Sequence, residues 1–294
     1  MNSQTLVDPS EADPDRRFGG LARLYGAAGA RRIREAHIVV IGIGGVGSWA
    51  AEAAARSGVA RLTLVDLDHI AESNINRQVH ALDSTLGMAK VQAMRERIAH
   101  INPDCRVGCI EEFVDTENWP GVLGFEAGLD WSRVAVIDAC DQVRAKTAMA
   151  AWAIESGITF ISVGAAGGKR LAHKVDIEDL SMVTHDPLLA QTRYRLRKEH
   201  GAARDKKKIG VACVFSREAV IQPDAAAVTA GGLLLSGDVQ PDLPVGKESD
   251  ATLNCHGYGS VVTVTSTFGL CAAGWVLSEI AGSARKGRKN NVII

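Results

Sequence analysis

The sequence contains no C-x-x-C pair. Its six cysteines, Cys105, Cys109, Cys140, Cys213, Cys255 and Cys271, are scattered along the chain. A tetrathiolate site therefore has no ligand set, and no zinc is expected. Charge of one sign is also missing: the 294 residues carry a net charge of −1, so the bulk balance points to no polyanion partner and local charge must decide. Aromatic residues make up only 5%, while Gly and Ala are plentiful, as where helices pack closely on a sheet. The N-terminus MNSQTLVDPSEADPDRR is polar and acidic and does not read as a signal peptide. Scattered thiols without such a signal fit a reducing cytoplasm. Only one apolar run, Val261 to Ala281, approaches the roughly 20 residues of a membrane span. It contains Thr263, Thr265, Ser266, Thr267, Ser278 and Glu279, which favours a buried helix. Membrane association through this segment is the alternative, and no stable span is expected.

What is present is a repeated alternation of apolar runs and helical patterns. HIVVIG (37–42), RLTLVD (61–66), CRVGCI (105–110), VAVIDA (134–139) and ITFISV (158–163) read as strands. Helical segments are expected at 17–36, 46–57, 87–100 and 142–156. Strands alternating with helices mean an α/β fold with a doubly wound, Rossmann-like, mostly parallel sheet. After Gly168 the pattern changes. HKVDIEDL (173–180) reads as an edge strand, 186–200 as a basic helix, and VACVFS (211–216) as another strand. Residues 222–255, rich in Gly, Pro and Asp, read as a crossover loop. The expected organisation is a disordered tail at 1–16 and a nucleotide-binding part at 17–168. A C-terminal extension of the same domain follows at 169–282, ending in an apolar helix, and a basic tail at 283–294.

Gly42-Ile43-Gly44-Gly45-Val46-Gly47 matches G-x-G-x-x-G between a strand and a helix. The glycines allow a tight turn and let a phosphate reach backbone amides at the helix N-terminus. Asp66, 19 residues past Gly47, ends the next strand, where an acid accepts hydrogen bonds from ribose hydroxyls. This much does not separate NAD, FAD and ATP. Asn74, Arg77 and Lys90 follow the first acid, and Asp138 and Asp141 follow the fourth strand. Ligands of open α/β sheets bind beyond the carboxyl ends of the strands, so these groups are expected at one crevice. Two cations there suit a triphosphate, and an acid opposite them suits Mg²⁺. Hydride transfer needs neither.

The order G-x-G-G-x-G-S, D-x-D, S-N-x-N-R-Q, G-x-x-K, D-x-x-D resembles the ubiquitin-activating-enzyme-like (ThiF/MoeB-type) adenylating superfamily. The resemblance implies that Gly44, Gly45, Asp66, Asn74, Arg77 and Lys90, with Gly42, Gly47 and Asp68 of the same motifs, bind ATP. It implies that Asp141 holds Mg²⁺, and that Arg77, Lys90 and Asp141 serve the adenylation of a carboxylate. RFGGLARLYG (17–26), NRQVHAL (76–82), INPDCRV (101–107), HDPL (185–188), KIGVACVFS (208–216) and STFG (266–269) extend the likeness over nearly the whole chain. Together they resemble the family of tRNA threonylcarbamoyladenosine dehydratases. Their implied reaction adenylates the threonyl carboxylate beside the tRNA anticodon and closes a ring with loss of water. The resemblance also implies a homodimer. A cysteine desulfurase or sulfur acceptor docking on 222–255 is a further partner to weigh. The rival reading is an activator of a ubiquitin-like sulfur carrier, against which the missing C-x-x-C pairs count. Many members carry R-x-x-R-Q near the N-terminus, whose second Arg enters the neighbouring subunit's site. Arg17 fills its first place here, Gly20 stands at its second, and Arg23 is the candidate substitute.

Residues 193–208 hold Arg193, Arg195, Arg197, Lys198, Arg204, Lys206, Lys207 and Lys208 against Glu199 and Asp205, a net +6. Such a cluster on a nearly neutral chain is a candidate tRNA phosphate contact, with Arg193, Arg195, Arg197, Lys206, Lys207 and Lys208 as its residues. Two thiols are weighed separately. Cys213 is expected in a buried strand. Cys255, beside His256 in the proposed crossover, is either an activated thiol or uninvolved, since the nucleophile of a cyclisation lies within the substrate.

Overall fold

The computed structural model describes residues 13–125, 131–205, 207–222 and 258–282. Seven strands form one sheet: β1 (His37–Ile41), β2 (Arg61–Val65), β3 (Arg106–Ile110), β4 (Val134–Asp138), β5 (Thr159–Val163), β6 (Val175–Asp179) and β7 (Ala212–Ser216). Their spatial order is β3-β2-β1-β4-β5-β7-β6. All neighbours pair in parallel except β6, which runs antiparallel to β7 at the sheet edge. The central runs are buried on both faces, which is why their sequences are continuously apolar. Alternate residues serve two cores. Ile38 and Val40 face the cluster that includes α3 (Gly47–Arg56), α4 (Lys90–Ile101) and α7 (Val262–Gly282). Val39 and Ile41 face the cluster that includes α5 (Val143–Ser156) and α6 (Pro187–Glu199).

The chain order reverses between β1 and β4. Ile41 stands beside Val65 on one side and Asp138 on the other. The loops after β1, β2 and β4 therefore leave the sheet at one level, which builds a crevice at a topological switch point.

The N-terminal region departs from the expected tail and single helix. Asp13 Oδ1 accepts from the N–H groups of Asp15 and Arg16, at 2.9 and 3.2 Å. This cap starts α1 (Pro14–Phe18), a helix whose first residues fall within the stretch expected as a tail. The expected 17–36 helix is α2 (Gly20–Glu35), interrupted at Gly26, whose φ of +72° leaves the helical region. Residues 1–12, most of the 222–255 segment and the basic tail at 283–294 lie outside the described residues.

The apolar run near the C-terminus is α7. Its length and composition would suffice to cross a membrane, yet it packs against α2, α3 and the sheet. Val264, Phe268, Ala272, Ala273 and Val276 are fully buried. Gly269 lets the two backbones meet: a Cβ there would lie 2.3 Å from the Val46 carbonyl oxygen, at the start of α3.

His37, at the start of β1, is buried with its Nε2 2.8 Å from Thr63 Oγ1. Burial, then the nearby Arg61, depresses its pKa to about 4. Above the ordinary value of 6.5 folded and unfolded chains are both neutral at this position. Below it the unfolded chain takes a proton that the folded chain refuses. The His37 contribution is thus lost as pH falls from 6.5 toward about 4. We expect wild type to lose more of its urea midpoint between pH 7.5 and 4.5 than a His37→Gln variant does. Equal losses would rule this contribution out.

Candidate active site

The crevice at the strand ends encloses about 590 Å³. Its floor is the glycine turn. Gly42 has φ +84°, and a Cβ there would lie 2.9 Å from the Ala139 carbonyl oxygen. At Gly47 a Cβ would sit 1.8 Å from the Gly42 carbonyl oxygen. The turn thus closes on itself only with glycine at both positions. Around Gly44 a Cβ would meet nothing within 4 Å, which leaves open space above the turn where α3 begins.

One wall comes from the end of β2. Asp66 Oδ2 accepts from the Ile43 N–H at 2.6 Å, and Oδ1 accepts from the Asp68 N–H at 2.9 Å. The first bond ties the acid to the glycine turn, and the second fixes it within its own loop. Burial raises the Asp66 pKa above its ordinary value, against the opposing pull of Lys90 and of these two N–H groups. Lys90, buried at the first residue of α4, places Nζ 2.6 Å from Asp68 Oδ2 and 3.8 Å from Asp66 Oδ1. Lys90 is therefore anchored beside the crevice by two acids.

The SNINRQ stretch supplies a second wall. Asn74 is buried, and its Oδ1 accepts from the Ala71 N–H at 3.1 Å, which fixes the turn. Trp49 Nε1 donates to the Arg77 carbonyl oxygen at 3.0 Å, joining this stretch to α3. Arg77 Nη1 donates to Ser73 O at 2.6 Å and Asn76 Oδ1 at 2.9 Å. The Arg77 stem lies against Gly45, 3.2 Å from where a Cβ would be. Gly42, Gly44, Gly45, Asp66, Asp68, Asn74, Arg77, Lys90 and Asp141 all line the one crevice. Gly47 stands behind it as the first residue of α3.

The two acids after β4 do different work. Asp141 is exposed at the crevice. Asp138 is fully buried and does not line the crevice, a correction to its placement with Asp141. Asp138 Oδ2 takes Lys146 Nζ at 2.8 Å and the Ser162 hydroxyl at 2.7 Å, while Oδ1 takes the Cys140 N–H at 3.2 Å. Lys146 also donates to Val163 O at 2.9 Å. Burial pulls its pKa down, but the Asp138 carboxylate, with Cys140, holds it above the ordinary lysine value. Among the described residues, no three of His, Cys, Asp and Glu gather as a metal-ligand set.

Sequence reasoning missed several contributors. Gly164–Gly167 and Pro187 line the crevice from beyond β5, and Thr265 and Tyr258 line it from the distant C-terminal part. Pro187 lies in the HDPL stretch, but nothing in the sequence assigned it or the others to the crevice, and only the tertiary fold brings them in. Lys146 was also missed, because one lysine within an apolar helix reads as a surface residue.

The basic segment is split by the structure. Arg193 Nη1 donates to Leu180 O and Val183 O, both at 2.9 Å, and Arg197 Nε donates to Ala203 O at 3.1 Å. Arg195 pairs with Glu199 at 3.1 Å. Lys207 and Lys208 are exposed, whereas Lys206 lies outside the described residues, as does Cys255. Cys213 is fully buried in β7, as expected, and burial holds its thiol well above the ordinary pKa.

Fold and site together define a nucleotide-binding α/β protein of the adenylating type, with cations ranged along a glycine turn. The chain belongs to the ThiF family, whose model matches residues 18–293. It is 39% identical to the tRNA threonylcarbamoyladenosine dehydratase of Escherichia coli K12, over 92% of this chain and 96% of that protein. The crystal structure of the E. coli tRNA N6-threonylcarbamoyladenosine dehydratase in complex with ATP superposes with a TM-score of 0.75 at 38% identity. It covers 93% of this chain and 97% of that one. The adenylyltransferase and sulfurtransferase MOCS3 of Drosophila willistoni is 32% identical, but over only 40% of this chain and 27% of that protein.

Proposed function

We propose that the chain is an ATP-dependent tRNA-modifying enzyme that dehydrates threonylcarbamoyladenosine to its cyclic form. The observation that carries this reading is the gathering of the glycine turn, Asp66, Arg77, Lys90 and Asp141 on one crevice, within a chain that resembles such dehydratases along nearly its whole length. The sulfur-carrier reading is supported over less than half of the chain.

Direct cyclodehydration in water has a poor leaving group. A threonyl carboxylate oxygen attacks the α-phosphorus of ATP, and pyrophosphate leaves. An atom of the same modification then attacks the activated carbonyl carbon, and AMP carries away the carboxylate oxygen. The net change in the RNA is the loss of one water. In our assignment the backbone of Gly44 and Gly45 and the N-terminus of α3 cradle phosphate, and Asp66 receives the ribose hydroxyls. Arg77 and Lys90 offset the charge that builds on the phosphates, with Gly42, Gly47, Asp68 and Asn74 shaping and holding their loops. The open space above Gly44 fits a phosphate. The exposed Asp141 fits Mg²⁺, which takes one or two carboxylates and leaves its other positions to phosphate oxygens and water. The ion would supply charge neutralisation to the leaving pyrophosphate.

For the tRNA we assign Arg195, Lys207 and Lys208, with Lys206 adjoining them in sequence. Arg193 and Arg197 brace α6 and its exit loop through the carbonyl bonds described above. The proposed working form is a homodimer in the cytoplasm. Arg23, whose Nη2 lies 3.8 Å from the point a Gly20 Cβ would occupy, is the arginine we assign to the neighbouring subunit. Incubating the protein with ATP, Mg²⁺ and total tRNA should yield, by mass spectrometry, threonylcarbamoyladenosine lighter by one water. Unchanged nucleosides, with AMP production absent, would refute the reading.

A further inference from the structure

The stretch that borders the nucleotide crevice also borders a second cavity, of about 710 Å³. Arg77, Gln78 and Lys90 line the first; His80, Leu82 and Thr85 line the second. Three guanidinium groups from three helices meet at the second: Arg17 of α1, Arg56 of α3 and Arg97 of α4. None of them lines the nucleotide crevice.

Their protein partners leave donors over. Arg56 Nε donates to Glu52 at 2.8 Å, while Arg97 Nε and Nη2 donate to the same carboxylate at 2.6 and 3.2 Å. Arg17 Nη1 donates to Ile101 O at 2.8 Å. Among the described residues, each guanidinium keeps N–H groups with no acceptor, and a guanidinium has five to place. The acids present are Glu52, whose side chain is 5% exposed, and Glu96 on the cavity wall. Three arginines against two carboxylates leave positive charge in excess.

His80 adds an independent observation. It lines this cavity, is 1% exposed, and neither ring nitrogen has a hydrogen-bond partner. A buried polar group without a partner costs free energy, so the missing partner points to a ligand. Burial, then Lys90 and Arg97, lowers the His80 pKa to about 4, so at neutral pH the ring has one N–H to donate and one lone pair. A phosphate answers both features. Its oxygens accept from the planar arginine forks and from the imidazole N–H. The exposed rim, where the Arg56 side chain is 60% accessible, admits a phosphate still joined to a chain.

We propose that this cavity is a second phosphate-binding site, formed by Arg17, Arg56, Arg97 and His80. Its ligand is a phosphate group, either of an RNA backbone or as the free anion. The test uses the full-length protein and follows the His80 imidazole resonances by NMR as inorganic phosphate is added. Phosphate in the millimolar range should move them, and the movement should vanish in Arg17→Gln/Arg56→Gln. Glu52 keeps Arg97 as its partner there, and circular dichroism checks the fold. Arg17→Gln alone, which leaves both Glu52 pairs intact, repeats the test at one position and should weaken the response.

An unmodified tRNA transcript separates the two sources. If the site takes RNA, tRNA abolishes the phosphate response, and the double variant shows a shallower salt dependence of tRNA affinity, by about one to two in log–log slope. If it takes the free anion, the response survives saturating tRNA. Resonances unmoved at tens of millimolar phosphate, together with an unchanged salt slope, overturn the proposal. The phosphate arm stands whether or not the tRNA reading of the first site holds; only the transcript arm rests on it.

Discussion

Replacing Arg77 with alanine is expected to lower substrate-dependent ATP–pyrophosphate exchange by roughly 10²–10³-fold, the usual cost of removing one aimed donor from developing charge. The structure explains why the effect should fall on kcat more than on nucleotide binding. In the proposed assignment the glycine-turn backbone and Lys90 also meet the ground-state phosphates, so losing one cation should weaken binding modestly. Negative charge grows as pyrophosphate departs, and in the proposed assignment Arg77 meets that growth. Its stem rests on Gly45 and its head is held by Ser73 and Asn76, so it needs little reorganisation during the reaction. Arg77→Lys should recover part of the rate. An alanine variant exchanging at close to the wild-type rate would remove Arg77 from the mechanism.

The second large effect concerns a residue outside the crevice. Lys146→Met should cost about 3–5 kcal/mol of stability, the penalty for leaving a buried charge without its partner. Lys146 and Asp138 are both fully buried, so water cannot substitute for the lost ammonium. The same carboxylate holds the Cys140 N–H, so the turn that carries Asp141 should loosen as well. We expect a lowered urea midpoint and, in the fraction that remains folded, weaker Mg²⁺-dependent ATP binding. An unfolding free energy within about 0.5 kcal/mol of wild type, the range of an ordinary surface substitution, would contradict this account of the pair.

The parallel core was legible in the sequence for a physical reason. Strands covered on both faces leave uninterrupted apolar runs, so HIVVI and VAVID announce themselves, and the glycine turn after the first fixes where the crevice opens. Asp66, Arg77 and Lys90 were readable because their order along the chain carries the pattern. The remainder depended on packing. Asp138 and Asp141 differ by three positions, yet one is sealed behind the strand end and the other faces the crevice. Nothing in the letters separates them. Arg193 looks like any surface arginine until the carbonyls of Leu180 and Val183 are brought to it. The pause in α2 rests on one glycine among several, and the start of α1 rests on a single aspartate in an acidic stretch. The second cavity draws on residues as far apart as Arg17 and Arg97, which no local pattern joins.

The close seat of Gly269 on the Val46 carbonyl, with Thr265 beside Gly45, has a consequence for the order of assembly at the ribosome. The phosphate turn is complete in sequence by residue 47, but the helix that braces it ends at Gly282. A nascent chain can lay down β1 to β5 early and still lack the backing that keeps the turn in shape. Competence to hold a nucleotide should therefore arrive late in translation, as a single event when the last helix emerges and docks, rather than growing strand by strand.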